Sequence, residues 1–277
     1  MKKNIVKADG KVEPYDEDKI SLSIIKAGAS PDLAKETARE VHKKIKNNAT
    51  TIQIYDKTLD QLKKLQPEVA LRYSLKKAIM DMGPDGFIFE EYISKILNEY
   101  GFSTEVGQII KGYCVEHEVD VIAKKEGVVH LIECKYHNSP GTKSDVKTAL
   151  YVHSRFADIK KAHTKNGMFS GNHIDAMLAT NTKCTSDAIQ YSRCVGLKIL
   201  AWHCPEVENL EYFIEAKKLY PVNILPAIAE KYKEKLFDSN IILLKELRGL
   251  EKETLANLLS ISCQEAEKIL NESGILL

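Results

Sequence analysis

The sequence predicts a multidomain protein that combines α+β and α/β architecture. We expect a mostly helical N-terminal domain with an initial hairpin, a central α/β domain with a mixed sheet, and a small helical C-terminal region. At 277 residues the chain exceeds one ordinary domain. The turn-rich segment Met82-Gly83-Pro84-Asp85-Gly86 indicates a boundary. After it, strand patterns alternate with helical ones, which is typical of an α/β layer.

The N-terminal domain is expected over residues 1–82. Asp9-Gly10 is a strong hairpin turn between two short apolar stretches. Asp16 can cap a helix that follows at about 17–27. Ser30 with Pro31 favours a second helix start, and further helices are predicted at 32–47, 52–65 and 67–80.

The central domain is expected over residues 86–215 and the C-terminal region over 221–277. Strands of the central domain are predicted at 105–110, 118–123, 128–135, 176–180 and 198–202. Its helices are predicted at 87–100, 145–165 and 186–194. Helices of the C-terminal region are predicted at 238–248, 251–259 and 263–272.

Charge is distributed unevenly along a nearly neutral chain. There are 40 Lys+Arg and 39 Asp+Glu, a net charge of +1. By region, 1–82 carries +5, whereas 83–220 and 221–277 each carry −2. This excludes a uniformly basic nucleic-acid coat but leaves room for a local basic patch. No apolar run approaches the ~20 residues of a membrane helix, so we expect a soluble, cytoplasmic protein.

The six cysteines show no metal-binding or disulfide pattern. They stand at 114, 134, 184, 194, 204 and 263, and none forms a C-x-x-C pair. A zinc ribbon is therefore not indicated. We expect reduced thiols that behave as small buried hydrophobic residues.

The most informative residues lie on two predicted strands joined by a tight turn. With the turn centred on Lys125-Glu126, Asp120 would pair with Leu131 and Ala123 with Val128. Because side chains alternate along a strand, Glu133 and Lys135 would then share a face with Asp120. The hairpin thus predicts two carboxylates and one ammonium group side by side.

This trio suits phosphodiester chemistry. Two carboxylates offer the oxygen ligands that Mg²⁺ or Mn²⁺ prefers, and such an ion polarises a phosphoryl oxygen. Lys135 would orient water or balance charge on the reacting phosphate. The alternative is an ordinary salt bridge, although two charged residues at the end of an apolar strand need a reason.

Glu90 is a candidate third carboxylate. It lies on the apolar face of the predicted helix 87–100, beside Ile93 and Leu97, whereas Glu91 lies on the polar face. A carboxylate on a buried face is usually paired or close to a metal. The alternative is a helix N-terminal charge favoured by the helix dipole.

Residues 86–202 resemble the Mrr-like branch of the PD-(D/E)xK restriction endonuclease-like superfamily. The matching segments are Gly86-x-x-Phe89-Glu90, Gly101-Phe102, Val119-Asp120-Val121-Ile122-Ala123, Glu133-Cys134-Lys135 and Ala179-Thr180-Asn181-x-x-x-Thr185-x-x-Ala188. The resemblance implies metal-dependent DNA cleavage with Glu90, Asp120, Glu133 and Lys135 as catalytic residues and with Asp120 and Glu133 as metal ligands. The family pattern differs in two places: valine precedes Asp120, and Glu133 stands where many Mrr-like members have glutamine.

Several polar residues near the trio are candidate contacts to DNA. His117, Tyr136 and His137 flank it, although a loop histidine is more often simply solvated. The loop at 138–144 with Lys143 and the helix with Lys147, Arg155, Lys160 and Lys161 offer cations for phosphates. The alternative is an ordinary solvated surface.

Residues 3–80 resemble an ATP-cone, the regulatory nucleotide-binding module of ribonucleotide reductases and their repressor. The match runs from Ile5-Val6-Lys7-Ala8-Asp9-Gly10 through Val12-Glu13-Pro14-Tyr15-Asp16 to Lys19-Ile20, and returns at Ala70-Leu71-Arg72-Tyr73. It implies a site for ATP or dATP formed by Ile5, Val6, Lys7, Glu13, Asp16, Lys19 and Thr51. Ala8 replaces the usual arginine of the family and so removes one phosphate contact.

Together these features predict a nucleotide-regulated, Mg²⁺- or Mn²⁺-dependent DNA endonuclease that forms a homo-oligomer. The alternative is a non-catalytic DNA-binding regulator that senses ATP or dATP and keeps the nuclease-like fold. The C-terminal segment around Leu247-Arg248-Gly249-Leu250 resembles a helix-hairpin-helix module, with dimerisation as the alternative. Because the central domain lacks a basic excess, DNA binding should be weak without metal.

Overall fold

A computed structural model describes residues 3–163, 168–229 and 231–277. Met1 and Lys2 of the predicted N-terminal domain, and 164–165 of the predicted helix 145–165, lie outside the described residues. Within the described ranges, no helix is long and apolar enough to span a membrane.

The N-terminal domain joins a small sheet to a group of helices. Strand β1 (Asn4–Val6) pairs antiparallel with β2 (Val12–Pro14) and parallel with β3 (Ala49–Thr50). The helices are α1 (Glu17–Lys26), α2 (Pro31–Lys44), α3 (Thr51–Leu65) and α4 (Pro67–Met80). The predicted caps are present: the Asp16 carboxylate accepts hydrogen bonds from the N–H groups of Asp18 and Lys19, and Ser30 caps α2.

The central domain is built on a five-stranded mixed sheet. The strands are β4 (Ser103–Lys111), β5 (Glu116–Lys125), β6 (Val128–Lys135), β8 (His173–Thr180) and β10 (Lys198–Leu200). Their order in the sheet is β10-β8-β6-β5-β4. The pairs β4–β5 and β5–β6 are antiparallel, whereas β6–β8 and β8–β10 are parallel. The predicted fold class is therefore confirmed: a mixed α/β chain of several domains with a mixed central sheet.

The two faces of the sheet pack against different layers. Helix α5 (Phe87–Glu99) covers one face, where Phe89 contacts the cluster around Val121 and Ile132. Helices α6 (Val146–His163) and α7 (Ser186–Val195) cover the other, where Ile122 and Leu131 are buried. Between these elements a short parallel pair, β7 (Lys143–Ser144) and β9 (Lys183–Cys184), joins two loops at the edge of the domain.

The hairpin of β5 and β6 is tighter than predicted. Lys125 pairs with Val128 and Ile122 with Leu131, so the predicted pairing of Asp120 with Leu131 is wrong by two residues. The turn is Glu126-Gly127, and both residues have positive φ angles, 51° and 76°, as a two-residue hairpin turn requires. Because a shift of two preserves the face of every side chain, Asp120 and Glu133 still share a face.

After β10 the chain forms a set of short helices, which share a core with the preceding elements. They are α8 (Leu210–Ala216), α9 (Pro226–Ala229), α10 (Lys233–Asp238), α11 (Leu244–Arg248), α12 (Lys252–Leu259) and α13 (Cys263–Ser273), with a 3₁₀ turn at Val222–Ile224. Of the predicted helix 238–248, only Leu244–Arg248 forms one continuous helix; its first part is wrong, because Asn240 has φ of 56° and interrupts the helical path between α10 and α11. Leu247, Leu255 and Ile269 pack in the same cluster as Tyr92 of α5.

The cysteines are all free thiols, as expected, but their burial is mixed. Cys134 and Cys184 are buried and Cys204 is partly buried. Cys114, Cys194 and Cys263 are exposed, so the prediction that all six are buried hydrophobic residues is wrong for these three. They lie in a loop, near the end of α7 and at the start of α13, where side chains face solvent.

Candidate active site at the ends of two strands

The two predicted ligands lie where β5 and β6 separate. The ladder of paired residues between β5 and β6 ends at Val121 and Ile132, and the Asp120 carboxylate then replaces the backbone partner: its Oδ2 accepts a hydrogen bond of 2.6 Å from the Cys134 N–H. Continuing the register would place Asp120 opposite Glu133. The sheet therefore opens at the position where the two carboxylates meet.

Glu90 enters the same place from above the sheet. It lies in the first turn of α5 and lines a cleft of about 420 Å³ together with both strand carboxylates and Lys135. Glu90 therefore lies both at the N-terminal end of a helix and in a site shared with other carboxylates. Each of its two interpretations has its structural basis in the molecule. The rest of the lining is Pro84, Gly86, Cys134, Tyr136, His137, Asn138, Ser139 and Thr142.

The electrostatics of the cleft are those of crowded, desolvated acids. Burial, followed by repulsion from Asp120, raises the pKa of Glu90 to about 7 and that of Glu133 to about 7. Burial also raises the pKa of Asp120, against the opposing effect of its hydrogen bond from Cys134. The charge of Asp120 thus makes both Glu90 and Glu133 harder to ionise, which favours binding of a cation.

Arg155 of α6 is the functional residue whose role sequence reasoning missed. Its guanidinium donates hydrogen bonds to Oε2 of Glu133 and to the carbonyl of Glu118. Both partners of the ion pair are largely buried, at 12% and 16% side-chain exposure. No sequence signal joins these residues, because 22 positions separate them.

The donor set of the cleft fits a small divalent cation. Among the described residues, Oδ2 of Asp120 and Oε2 of Glu133 have protein partners, which leaves Oδ1 and Oε1 for a metal. Oxygen-only ligation by two carboxylates is what Mg²⁺ and Mn²⁺ prefer. Over the same residues, no three acidic, histidine or cysteine side chains form a ready-made metal cluster. Any ion would therefore complete its shell with water.

The flanking residues divide between the cleft and other roles. Tyr136 and His137 line the cleft. His117 does not line it; it is bound to Asp158 at 2.8 Å instead. The Tyr136 hydroxyl donates to the carbonyl of Met80, so this wall of the cleft is fastened to the N-terminal domain.

The sequence segment at 179–188 acts by holding the loop beside the cleft. Asn181 is fully buried, donates to the carbonyl of His137 at 2.8 Å and accepts from its N–H at 2.9 Å. Ser144 bonds both His137 and Thr180. Thr185 caps α7. The segment thus supports the loop 138–144.

The predicted nucleotide residues form a charged cluster on the hairpin side of the N-terminal domain. Glu13 binds Lys7 at 2.6 Å and Lys19 at 3.6 Å, and Lys19 also lies 3.8 Å from Asp16. Ile5 is buried and Val6 is partly buried beneath the cluster. Thr51 follows β3, and since Val6 pairs with Thr50, Thr51 lies beside the start of the turn that holds Lys7.

Comparison with known proteins identifies the N-terminal domain. Residues 3–81 match the family model of the ATP cone domain, so the N-terminal domain is an ATP cone. The chain is also 29% identical over 109 residues to UPF0102 proteins of Campylobacter jejuni, which covers 39% of this chain and 88% of the relative.

A longer match defines the family. The chain is 33% identical over 182 residues to an uncharacterized protein of Archaeoglobus fulgidus, covering 65% of this chain and 97% of the relative. The chain belongs to the same family as that protein. Its fold also matches the crystal structure of AF1548, a protein of unknown function, with a TM-score of 0.57 and 30% identity over 69% of this chain and 97% of the other. More than half of the 182 matched residues must lie beyond the cone, so the resemblance includes the domain with the cleft.

Proposed function

We propose that this protein is a nucleotide-regulated, divalent-metal-dependent DNA endonuclease of the restriction endonuclease-like type. One observation carries the proposal: Glu90, Asp120, Glu133 and Lys135 line one cleft, and the pKa values of its three carboxyl groups are all raised. Crowded acids beside the ammonium group of Lys135 suit the binding of a metal and of a phosphate.

Each residue has a role in this proposal. Asp120 and Glu133 hold the ion, which would polarise a phosphoryl oxygen and lower the pKa of a bound water. Glu90 faces the same space and accepts a hydrogen bond from the attacking water. Lys135 stabilises the negative charge that develops on the phosphate.

A second candidate, a non-catalytic DNA-binding regulator that senses ATP or dATP, is favoured by the ion pair of Arg155 with Glu133. The guanidinium already neutralises one of the two ligands. A chain that never binds metal would need this pair to keep a buried carboxylate stable.

Cleavage of supercoiled and branched DNA with Mg²⁺ or Mn²⁺, and with EDTA as the blank, separates the two candidates. We expect metal-dependent nicking that Asp120→Asn and Lys135→Ala each reduce by a factor on the order of 10²–10³. Glu91→Gln is the matched control, since Glu91 neighbours Glu90 but does not line the cleft. Cleavage that is absent from the wild type, or that survives in both variants, would rule out the endonuclease.

A further inference from the structure

A second cleft lies between the cone and the domain of the candidate active site. It has a volume of about 430 Å³, which is in the range of small-molecule sites. The cone contributes the start of α3 and the end of α4, including Thr51 and Tyr55. The other domain contributes the loop 138–143 and the segment 182–183. The cleft thus belongs to neither domain alone.

Several lysine side chains line this cleft, and their positive charges repel one another. Lys143 of β7 pairs in register with Lys183 of β9, so two like charges stand directly side by side on a two-stranded sheet, an arrangement that costs stability. Lys76 of α4 also lines the cleft; burial, and then the charge of Lys183, lower the pKa of its ammonium group. Lys77 also lines the cleft but is already paired with Asp81, and Asp56 is the other acid of the lining. An anion would relieve this repulsion.

A polar group of the cleft also lacks a protein partner. The Tyr55 hydroxyl is buried and has no hydrogen-bond partner in the part of the chain that the structure describes. A buried hydroxyl without a partner costs free energy. A ligand with several acceptor oxygens, such as a phosphate chain, would satisfy it together with the lysines.

The cleft adjoins the charged cluster of the cone. Thr51 lines it and lies beside the turn that carries Lys7. Ala8, the next residue of that turn, touches the other domain: a Cβ built on Gly141 would lie 3.1 Å from the Ala8 side chain. A ligand that extends from the charged cluster of the cone would therefore reach the loop 138–144 of the other domain.

We propose that the phosphate chain of a nucleoside triphosphate bound at the cone is held across the domain boundary by Lys76, Lys143 and Lys183. Asn138 and Thr142 line both this cleft and the candidate active site. The loop 138–144 thereby transmits occupancy of the cone to the catalytic cleft. This second step rests on the proposed function, whereas the binding step does not.

Isothermal titration calorimetry with ATP, with adenosine and with a short DNA duplex, all without metal and on the full chain, tests the binding step. We expect Lys143→Ala and Lys183→Ala each to weaken ATP binding at least about tenfold and to leave adenosine unaffected. Lys111→Ala, an exposed lysine at the end of β4, is the matched control and should bind like the wild type. Both variants change exposed side chains and should fold normally.

Hydrogen exchange provides the readout for the loop. ATP should slow amide exchange in 138–144 of the wild type and not in the Lys143→Ala and Lys183→Ala double variant. Unchanged ATP affinity in both lysine variants would show that the cone holds the nucleotide alone. Weaker DNA binding with normal ATP binding would assign the cleft to DNA and overturn the proposal. Neither measurement uses cleavage, so a chain without nuclease activity can still bear the proposal out.

Discussion

Helix α6 takes part in two carboxylate sites whose pKa values are shifted in opposite directions. Near its C-terminal end, its own Asp158 accepts hydrogen bonds from His117 and from the backbone N–H groups of Cys114 and Val115, which holds the loop between β4 and β5. These bonds, the one from His117 first, lower the pKa of Asp158 to about 2. One turn earlier, Arg155 donates a hydrogen bond to Glu133 of the cleft, and the pKa of Glu133 is raised to about 7 by burial and then by the charge of Asp120.

This contrast separates a carboxylate that is satisfied within the chain from carboxylates that are not. Asp158 is surrounded by donors of its own chain and gains nothing from a ligand. The cleft acids have few donors and repel one another, so their most favourable partner is a cation from outside the chain. Residue type and burial alone would not distinguish the two, since both are acidic side chains with similar exposure, 15% for Asp158 and 16% for Glu133.

The ion pair between Arg155 and Glu133 gives the largest expected effect. In EDTA at pH 8, Arg155→Gln should lower the free energy of unfolding by about 3 kcal/mol, because Glu133 stays buried without its partner. Saturating Mn²⁺ should restore more stability to the variant than it adds to the wild type. Chemical denaturation with and without Mn²⁺ measures both.

Arg193→Gln, which changes an exposed arginine of α7, is the control for that experiment. If Mn²⁺ stabilised wild type and Arg155→Gln equally, the guanidinium and the metal would not compete for Glu133. The cleft would then be no more dependent on an external cation than Asp158 is.

Removal of a crowded acid should stabilise the metal-free protein by a smaller amount. At pH 8 in EDTA, Glu90→Gln should raise the free energy of unfolding by about 1 kcal/mol, after allowance for the partial exposure of Glu90. Because the folded pKa is raised, wild-type stability falls as pH rises from about 4.3 to about 7. The gain should therefore vanish near pH 4.5, as denaturation at the two pH values would reveal.

Glu91→Gln is the control variant at the neighbouring position. It should not show the gain in free energy of unfolding at pH 8, nor the difference between pH 8 and pH 4.5. A destabilising Glu90→Gln at pH 8 would mean that Glu90 is satisfied within the chain, as Asp158 is.

The smallest expected effect is on Asp158, which holds only a loop. Asp158→Asn should lower the thermal midpoint at pH 7, since the amide no longer attracts His117 and the two N–H groups as a carboxylate does. A depressed folded pKa gives stability that is present above the unfolded value near 3.9 and is lost as pH falls to about 2. Melting curves of wild type and variant should therefore converge near pH 2, and a difference that persisted there would contradict this account.

The grouping of the site residues could be predicted because it depends on alternation along strands. The predicted register is wrong by two residues, but a shift of two leaves every side chain on the same face of the sheet. Alternation therefore still puts Asp120, Glu133 and Lys135 on one face. The turn Glu126-Gly127 fixes the register through positive φ angles, and the sequence there does not contain the most common turn dipeptides.

Other parts of the site could not be predicted from local pattern. Arg155 meets Glu133, and His117 meets Asp158, only after the helix packs on the sheet. The interdomain cleft depends on the meeting of α4 with loop 138–144. The break at Asn240 has only a weak local signal, because asparagine adopts positive φ in a minority of its positions.

The end of α4 joins the cone firmly to the domain that follows it. Three of its last carbonyls, at Ala78, Met80 and Asp81, accept hydrogen bonds from Asn223, Tyr136 and Lys233, and its apolar side chains Leu75, Ala78, Ile79 and Met82 belong to the main core of the molecule. The cone and the domain that follows it are therefore not independent modules. Excision of the cone would strip part of the core from its neighbour, so a family member without a cone must cover that surface by other residues.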